Sequence, residues 1–191
     1  MDFEESEEMT EEMELFAILP FLCNEKSLLQ GWRCEKNPRS VSSIRIINDA
    51  EVASPVVTLE SNEFDKAWIS FPDNKNKFIG TPYPFIVMQI KNMNKYMGFE
   101  INVSDQNDKQ KIFQCTNKQS LARLIDNKCS LPLTLDNGEW NIIAIDLQSL
   151  TKRVFNTKYK HCNRIKIFAN TRVRRIYFAK DLYHEDDLPE E

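Results

Sequence analysis

Residues 96–115 read YMGFEINVSDQNDKQKIFQC, and this stretch decides the fold. From 96 to 103 every second residue is apolar. Met97, Phe99, Ile101 and Val103 share one side, and Tyr96, Gly98, Glu100 and Asn102 the other. Side chains of an extended chain alternate between faces with period two, so this is a strand with one face turned to a core. Asp105-Gln106-Asn107-Asp108 then supplies turn-forming residues, and 109–115 returns to β-rich composition. The stretch predicts a hairpin, and therefore antiparallel neighbours.

The same texture extends outward in both directions. Short runs rich in Val, Ile and aromatic residues stand at 43–47 (SIRII), 55–59 (PVVTL), 67–71 (AWISF), 84–90 (PFIVMQI), 140–146 (WNIIAID), 163–168 (NRIKIF) and 173–179 (VRRIYFA). Turn residues separate them, including Asp136-Asn137-Gly138, and the pattern is that of an antiparallel β-sandwich. The run 84–90 is apolar on both faces, which predicts a central strand covered on both sides. In 163–168, Ile165 and Ile167 oppose Arg164, Lys166 and Phe168. One or two short helices complete the reading. Leu147, Leu150 and Val154 fall at helical spacing behind Asp146 as cap, and the apolar stretch 13–22, broken by Pro20, reads as a second helix docked on the domain.

Charge divides the chain into three. Residues 1–14 hold eight acids and no Lys or Arg, and 181–191 hold six, so both read as acidic tails, the first of them disordered. The domain between them, 15–180, keeps fifteen acids against all 25 basic residues. No run of 18 apolar residues exists to span a bilayer. The acidic N-terminus is unlike a signal peptide, and the five cysteines are odd in number and irregular in spacing. These features predict a cytoplasmic protein with free, mostly buried thiols.

Catalytic chemistry is sparse. The two histidines are His161, whose neighbour Cys162 points to the opposite face of a strand, and His184, set among acids. With four glycines there is no phosphate-binding or dinucleotide-binding loop, and no Cys/His pair has metal-ligand spacing. The expectation is a binding protein with no catalytic centre, cofactor or metal. The candidate binding residues lie in 147–180, which carries ten Lys or Arg and no acid: Lys152, Arg153, Lys158, Lys160, Arg172, Arg174 and Arg175. Such a field attracts an acidic protein surface, anionic lipid or nucleic acid. Phe168 and Tyr177 would stack bases if exposed, though core positions suit both better. Trp68 and Trp140 would stack sugars if exposed, though both sit in apolar runs.

Several segments carry a more specific likeness. Pro84-Phe85-Ile86-Val87-Met88-Gln89-Ile90-Lys91-Asn92 is followed by Lys95-Tyr96, and Asp136-Asn137-Gly138-Glu139-Trp140-Asn141 is a D-G-W-N turn with one residue inserted before the Trp. Thr151-Lys152-Arg153-Val154-Phe155 precedes Thr157-Lys158-Tyr159, with Asn156 at a position where Gly is usual. The run 165–189 includes Ile167-Phe168-Ala169-Asn170, Arg172-Val173-Arg174-Arg175-Ile176-Tyr177-Phe178, Leu182-Tyr183 and Leu188-Pro189. From Pro84 onward the chain resembles the cilia- and flagella-associated protein 20 family. The resemblance implies a jelly-roll-like β-sandwich and a structural role in ciliary or flagellar doublet microtubules, basal bodies and centrioles. It implies a place at the inner junction or a nearby luminal site, touching tubulin and the parkin co-regulated gene protein or other microtubule inner proteins. The seven basic residues then become donors to acidic tubulin. A nucleic-acid-binding protein is the alternative, and a sugar-binding module ranks third. The acidic N-terminus and the weak match over 1–60 suggest a divergent paralogue, whose tail screens the basic face until a partner displaces it.

Overall fold

All nine expected strands form. The computed structural model describes residues 13–20 and 27–189. Its strands are β1 (Leu15–Leu19), β2 (Arg33–Lys36), β3 (Ser42–Asp49), β4 (Ser54–Ser61), β5 (Ala67–Phe71), β6 (Phe85–Asn92) and β7 (Gly98–Asp105). They continue as β8 (Gln110–Thr116), β9 (Arg123–Ile125), β10 (Lys128–Pro132), β11 (Trp140–Asp146), β12 (Tyr159–Phe168) and β13 (Thr171–Ala179). One sheet runs β11-β6-β13-β4-β3, with β1 also on β13; the other runs β2-β5-β12-β7-β8-β10-β9. The result is a jelly-roll-like β-sandwich. One pair departs from the antiparallel rule: β8 and β10 run parallel.

The alternation read from the sequence builds the core. Met97, Phe99, Ile101 and Val103 are all fully buried from the second sheet. Ile86, Met88, Ile90, Ile176 and Phe178 meet them from the first. The deciding hairpin closes as expected: the Asp105 carboxylate accepts from the amides of Asn107 and Lys109 at 2.9 and 3.0 Å, and Asp108 takes the left-handed conformation at φ 58°. The helix α1 (Leu147–Phe155) is capped by Asp146, which accepts from the Ser149 amide at 2.9 Å. It ends at Asn156, left-handed at φ 52°, so Asn serves where Gly is the common choice.

One expectation is corrected. The stretch 13–22 is not a helix: its described part holds the strand β1. The cause is long-range. β4 pairs with β13 only over Thr171, Arg172 and Val173, and β1 takes the remaining edge, with Leu15 opposite Ala179 and Leu19 opposite Ile176. Phe168 shares its side with Lys166, as the alternation predicted, and takes the core position that suited it better. It is buried, with Phe64 edge-on at 5.8 Å and the Lys166 ammonium over its ring at 5.0 Å. Three further strands, β2, β9 and β10, have no counterpart in the sequence reading.

The central strand β6 is covered on both sides, as its composition predicted. Inside lies the core. Outside, Val87 packs with Tyr177, Ala179 and Leu188, and with the half-buried Tyr183. The described part of the acidic C-terminal segment thus lies along the first sheet, with Glu185–Asp187 in a single 3-10 turn. The expected N-terminal tail lies outside the described residues apart from Met13 and Glu14, where Glu14 pairs with Lys180 at 2.7 Å. No described helix is long and apolar enough to cross a membrane.

Candidate partner-binding surface

The seven basic residues do not form one patch. They fall into two groups, one on β13 of the first sheet and the other on α1, the loop after it and the start of β12.

Arg172, Arg174 and Arg175 stand on β13, and a β-bulge orients them. Pairing with β6 shifts between Val173 and Arg175. Val173 and Ile176 therefore both face inward, opposite Ile90 and Met88, while Arg172 and Arg175 lie opposite the outward Lys91 and Gln89. The bulge turns all three arginines outward, which strict alternation would forbid. Their environments differ. Arg172 reaches the buried Asp49 with Nη1 at 2.6 Å from Oδ2. Arg174 donates to Ser54 Oγ at 3.3 Å and Gln89 Oε1 at 3.2 Å. Arg175 is buried, against Tyr177 and the C-terminal segment.

Burial alone would raise the Asp49 carboxyl. The hydrogen bonds from Arg172 and from the Glu51 amide, with the charges of Arg172 and Lys91, outweigh it and hold the group below the usual carboxylate range. Lys91 in turn pairs with Glu51 at 2.5 Å. Much of the positive charge on this face is therefore matched from within.

The second group sits where α1 crosses from the first sheet to the second. Lys152, Arg153, Lys158 and Lys160 are all exposed. Lys160 pairs with Asp108 at 2.6 Å, and Lys152 donates to the Asn156 side chain at 3.0 Å. Among the described residues no carboxylate pairs with Lys152, Arg153 or Lys158, so this group offers the less compensated charge.

Other candidate sites resolve into structural roles. The Trp68 ring is half-buried and carries the Lys166 ammonium 4.3 Å from its centroid and the Arg33 guanidinium at 5.7 Å, so a sugar would have to displace both. Tyr177 is buried, as the core reading of it required. An open cleft of about 640 Å³ at one end of the sandwich is rich in asparagine. Its buried amides brace the loops instead of facing a ligand. Asn170 accepts from the Ser61 amide at 3.1 Å and donates to the Tyr96 carbonyl at 3.0 Å. Asn92 donates to the Lys95 carbonyl at 2.9 Å and accepts from the Asn94 amide at 3.0 Å. Cys115, Cys129 and Cys162 are buried free thiols, Cys34 is an exposed one, and Cys23 lies outside the described residues. Burial pushes the Cys115 thiol up to about 12 and Cys162 higher still, so neither is an activated nucleophile. No cluster of three His, Cys, Asp or Glu among the described residues could hold a metal.

The sequence reading missed Arg123, Leu124 and Ile125, which form the exposed edge strand β9. The signal available was an apolar pair, Leu124-Ile125, in an otherwise polar stretch.

Fold and surface together define a jelly-roll-like β-sandwich whose distinctive chemistry lies on its outer faces. A family model described as the CFA20 domain matches residues 13–191, and the chain belongs to that family. The match begins well before Pro84, where the sequence likeness became plain. Among curated relatives, cilia- and flagella-associated protein 20 of Caenorhabditis elegans is 40% identical over 148 residues, covering 78% of this chain and 72% of that one. Its counterpart in Chlamydomonas reinhardtii is 38% identical over 148 residues, covering 78% and 77%. Among solved structures, the family 11 carbohydrate-binding module of Lic26A-Cel5E from Clostridium thermocellum aligns over 91% of this chain and 98% of that one, at 11% identity and a TM-score of 0.48.

Proposed function

We propose that this chain is a non-enzymatic structural protein of cilia and flagella that binds tubulin in the doublet microtubule, at the inner junction or a nearby luminal site. The carrying observation is membership of the CFA20 domain family, whose curated relatives in worm, alga and ciliate are named for association with cilia and flagella. The surface fits that role. Lys152, Arg153 and Lys158, which have no carboxylate partner among the described residues, present positive charge suited to an acidic protein such as tubulin, with Arg172 and Arg174 as a second, largely self-matched group. Neighbouring inner proteins, among them the parkin co-regulated gene protein, would occupy further surface.

Co-sedimentation with taxol-stabilised microtubules, with duplex and single-stranded DNA as competitors, tests the reading. An exposed charge pair contributes roughly 0.2–1 kcal/mol, so reversing Lys152, Arg153 and Lys158 to Glu is expected to weaken binding at least about fivefold. Binding that DNA removes would favour the nucleic-acid alternative. Deleting residues 1–12, which hold seven acids, is expected to strengthen binding at low salt; unchanged binding would refute the screening role of the tail.

A further inference from the structure

Among the described strands five have a neighbour on one side only: β11, β3 and β1 in the first sheet, β2 and β9 in the second. A sheet edge presents unpaired backbone N–H and C=O groups, and proteins guard it with charge, bulges or cover. β2 carries Arg33, Glu35 and Lys36, and β3 carries Arg45 in an ion pair with Glu60 at 2.9 Å. β9 is different. Arg123, Leu124 and Ile125 are all exposed. With Leu121, this short segment holds three large aliphatic side chains in water, at 79% (Leu121), 52% (Leu124) and 57% (Ile125) exposure. Among the described residues no other five-residue stretch concentrates so many exposed large apolar side chains, and clustering of this kind marks an interaction site.

The register says what would fit. Leu124 lies opposite the buried Cys129, while Arg123 and Ile125 lie opposite Ser130 and Lys128. One face of β9 therefore carries Leu124 beside Cys129, and the other carries Arg123 and Ile125 with Ser130 and Lys128 across from them. The surrounding charge is one-sided: residues 109–133 contain Lys109, Lys111, Lys118, Arg123 and Lys128 against Asp126 alone. Lys128 is shared with Glu100 at 3.2 Å, and Lys111 lies over the Phe155 ring. Lys109 and Arg123 have no carboxylate partner among the described residues.

We propose that β9 is a docking strand for an extended segment of a partner protein in which apolar and acidic residues alternate. The segment adds to the free edge of β9 through backbone hydrogen bonds. Its apolar side chains lie against Leu124, and its carboxylates lie over Arg123 and Lys128. Main-chain pairing supplies affinity and the alternation supplies specificity. This surface belongs to the end of the second sheet, and it does not depend on the microtubule reading.

The probe is a fluorescein-labelled peptide of alternating Glu and Val or Leu, titrated into the full chain by fluorescence anisotropy. Saturable binding is expected, with slowed amide exchange at residues 123–125. Leu124→Asp and Arg123→Glu, both at exposed positions, are each expected to weaken binding about tenfold with little change in melting temperature. A peptide of the same composition with its acids and its apolar residues in two separate blocks is expected to bind about tenfold less well. Lys152→Glu with Arg153→Glu should leave binding unchanged. Absence of saturable binding, unchanged exchange at 123–125, or binding that survives Leu124→Asp but is lost with Lys152→Glu and Arg153→Glu would overturn the proposal.

Discussion

Replacing Arg172 by alanine is expected to destabilise the fold even though its side chain is 30% exposed. The reason is Asp49. Its side chain is 2% exposed and is held in the ionised form by the Arg172 guanidinium at 2.6 Å. Removing the arginine leaves a buried carboxylate with the Glu51 amide, at 3.0 Å, as its one close donor among the described residues. Losing a hydrogen bond to a charged group costs about 1.5–3 kcal/mol, and stranding a buried charge pushes toward the upper end. The remaining amide and the partial access of water at Arg172 moderate this, giving about 2–3 kcal/mol. For a chain of 191 residues, each kcal/mol lowers the melting temperature by about 2–4 °C, so a drop of roughly 4–12 °C is expected. Urea and thermal melts of Arg172→Ala, Asp49→Asn and the double variant measure it. The double variant should lose less than the two single losses added together, because it strands no charge. Additive losses, or an Arg172→Ala loss under about 0.5 kcal/mol, would refute the account. The result also guards the binding assay: a microtubule defect in an Arg172 variant counts only if the protein remains folded.

Acid should unfold the protein in a defined window. Burial alone would raise the Asp105 carboxyl, but the amides of Lys109 and Asn107 hold it below the ordinary range, as Arg172 does for Asp49. For depressed carboxyls the stabilisation is complete above about pH 4 and drains as pH falls through the lower folded-state values. Urea midpoints should therefore fall on acidification below pH 4, less steeply in Asp105→Asn. Phe99→Ala removes a fully buried ring between the sheets and is expected to cost about 3–5 kcal/mol, read from the urea midpoint at unchanged slope. In a Cys23→Ser background, a thiol reagent should titrate one group in the native state, Cys34, and the three buried thiols only after denaturation.

Most of the sandwich was legible because its strands announce themselves locally. The alternation at Met97, Phe99, Ile101 and Val103 survives unbroken into the core, and the Asp146 cap and Asn156 stop bound the helix where spacing placed it. The failures are non-local. Leu15–Leu19 is a short apolar run that periodicity cannot divide between helix and strand; only the vacant edge of β13 makes it a strand. β2, with the sequence Arg33-Cys34-Glu35-Lys36, owes its conformation to pairing with β5. The candidate surface was less legible. A count of basic residues cannot see the bulge at Val173–Arg175, nor that Arg175 is buried and Arg172 already matched by a carboxylate 123 residues away. The exposed strand β9 was missed because two adjacent aliphatic residues read as core until their solvent exposure is known.

The strand β13 closes the chain's described sheet order from its far end. It pairs with β1, β4 and β6, so residues 171–179 bind strands made earlier in synthesis. Until they leave the ribosome, β4 and β6 each lack a neighbour and β1 has none at all. A nascent chain halted near Asn170 would thus hold three strands with unfilled edges. Unfilled edges template pairing between chains, so a chain cut short before β13 is expected to aggregate instead of forming a shortened working domain.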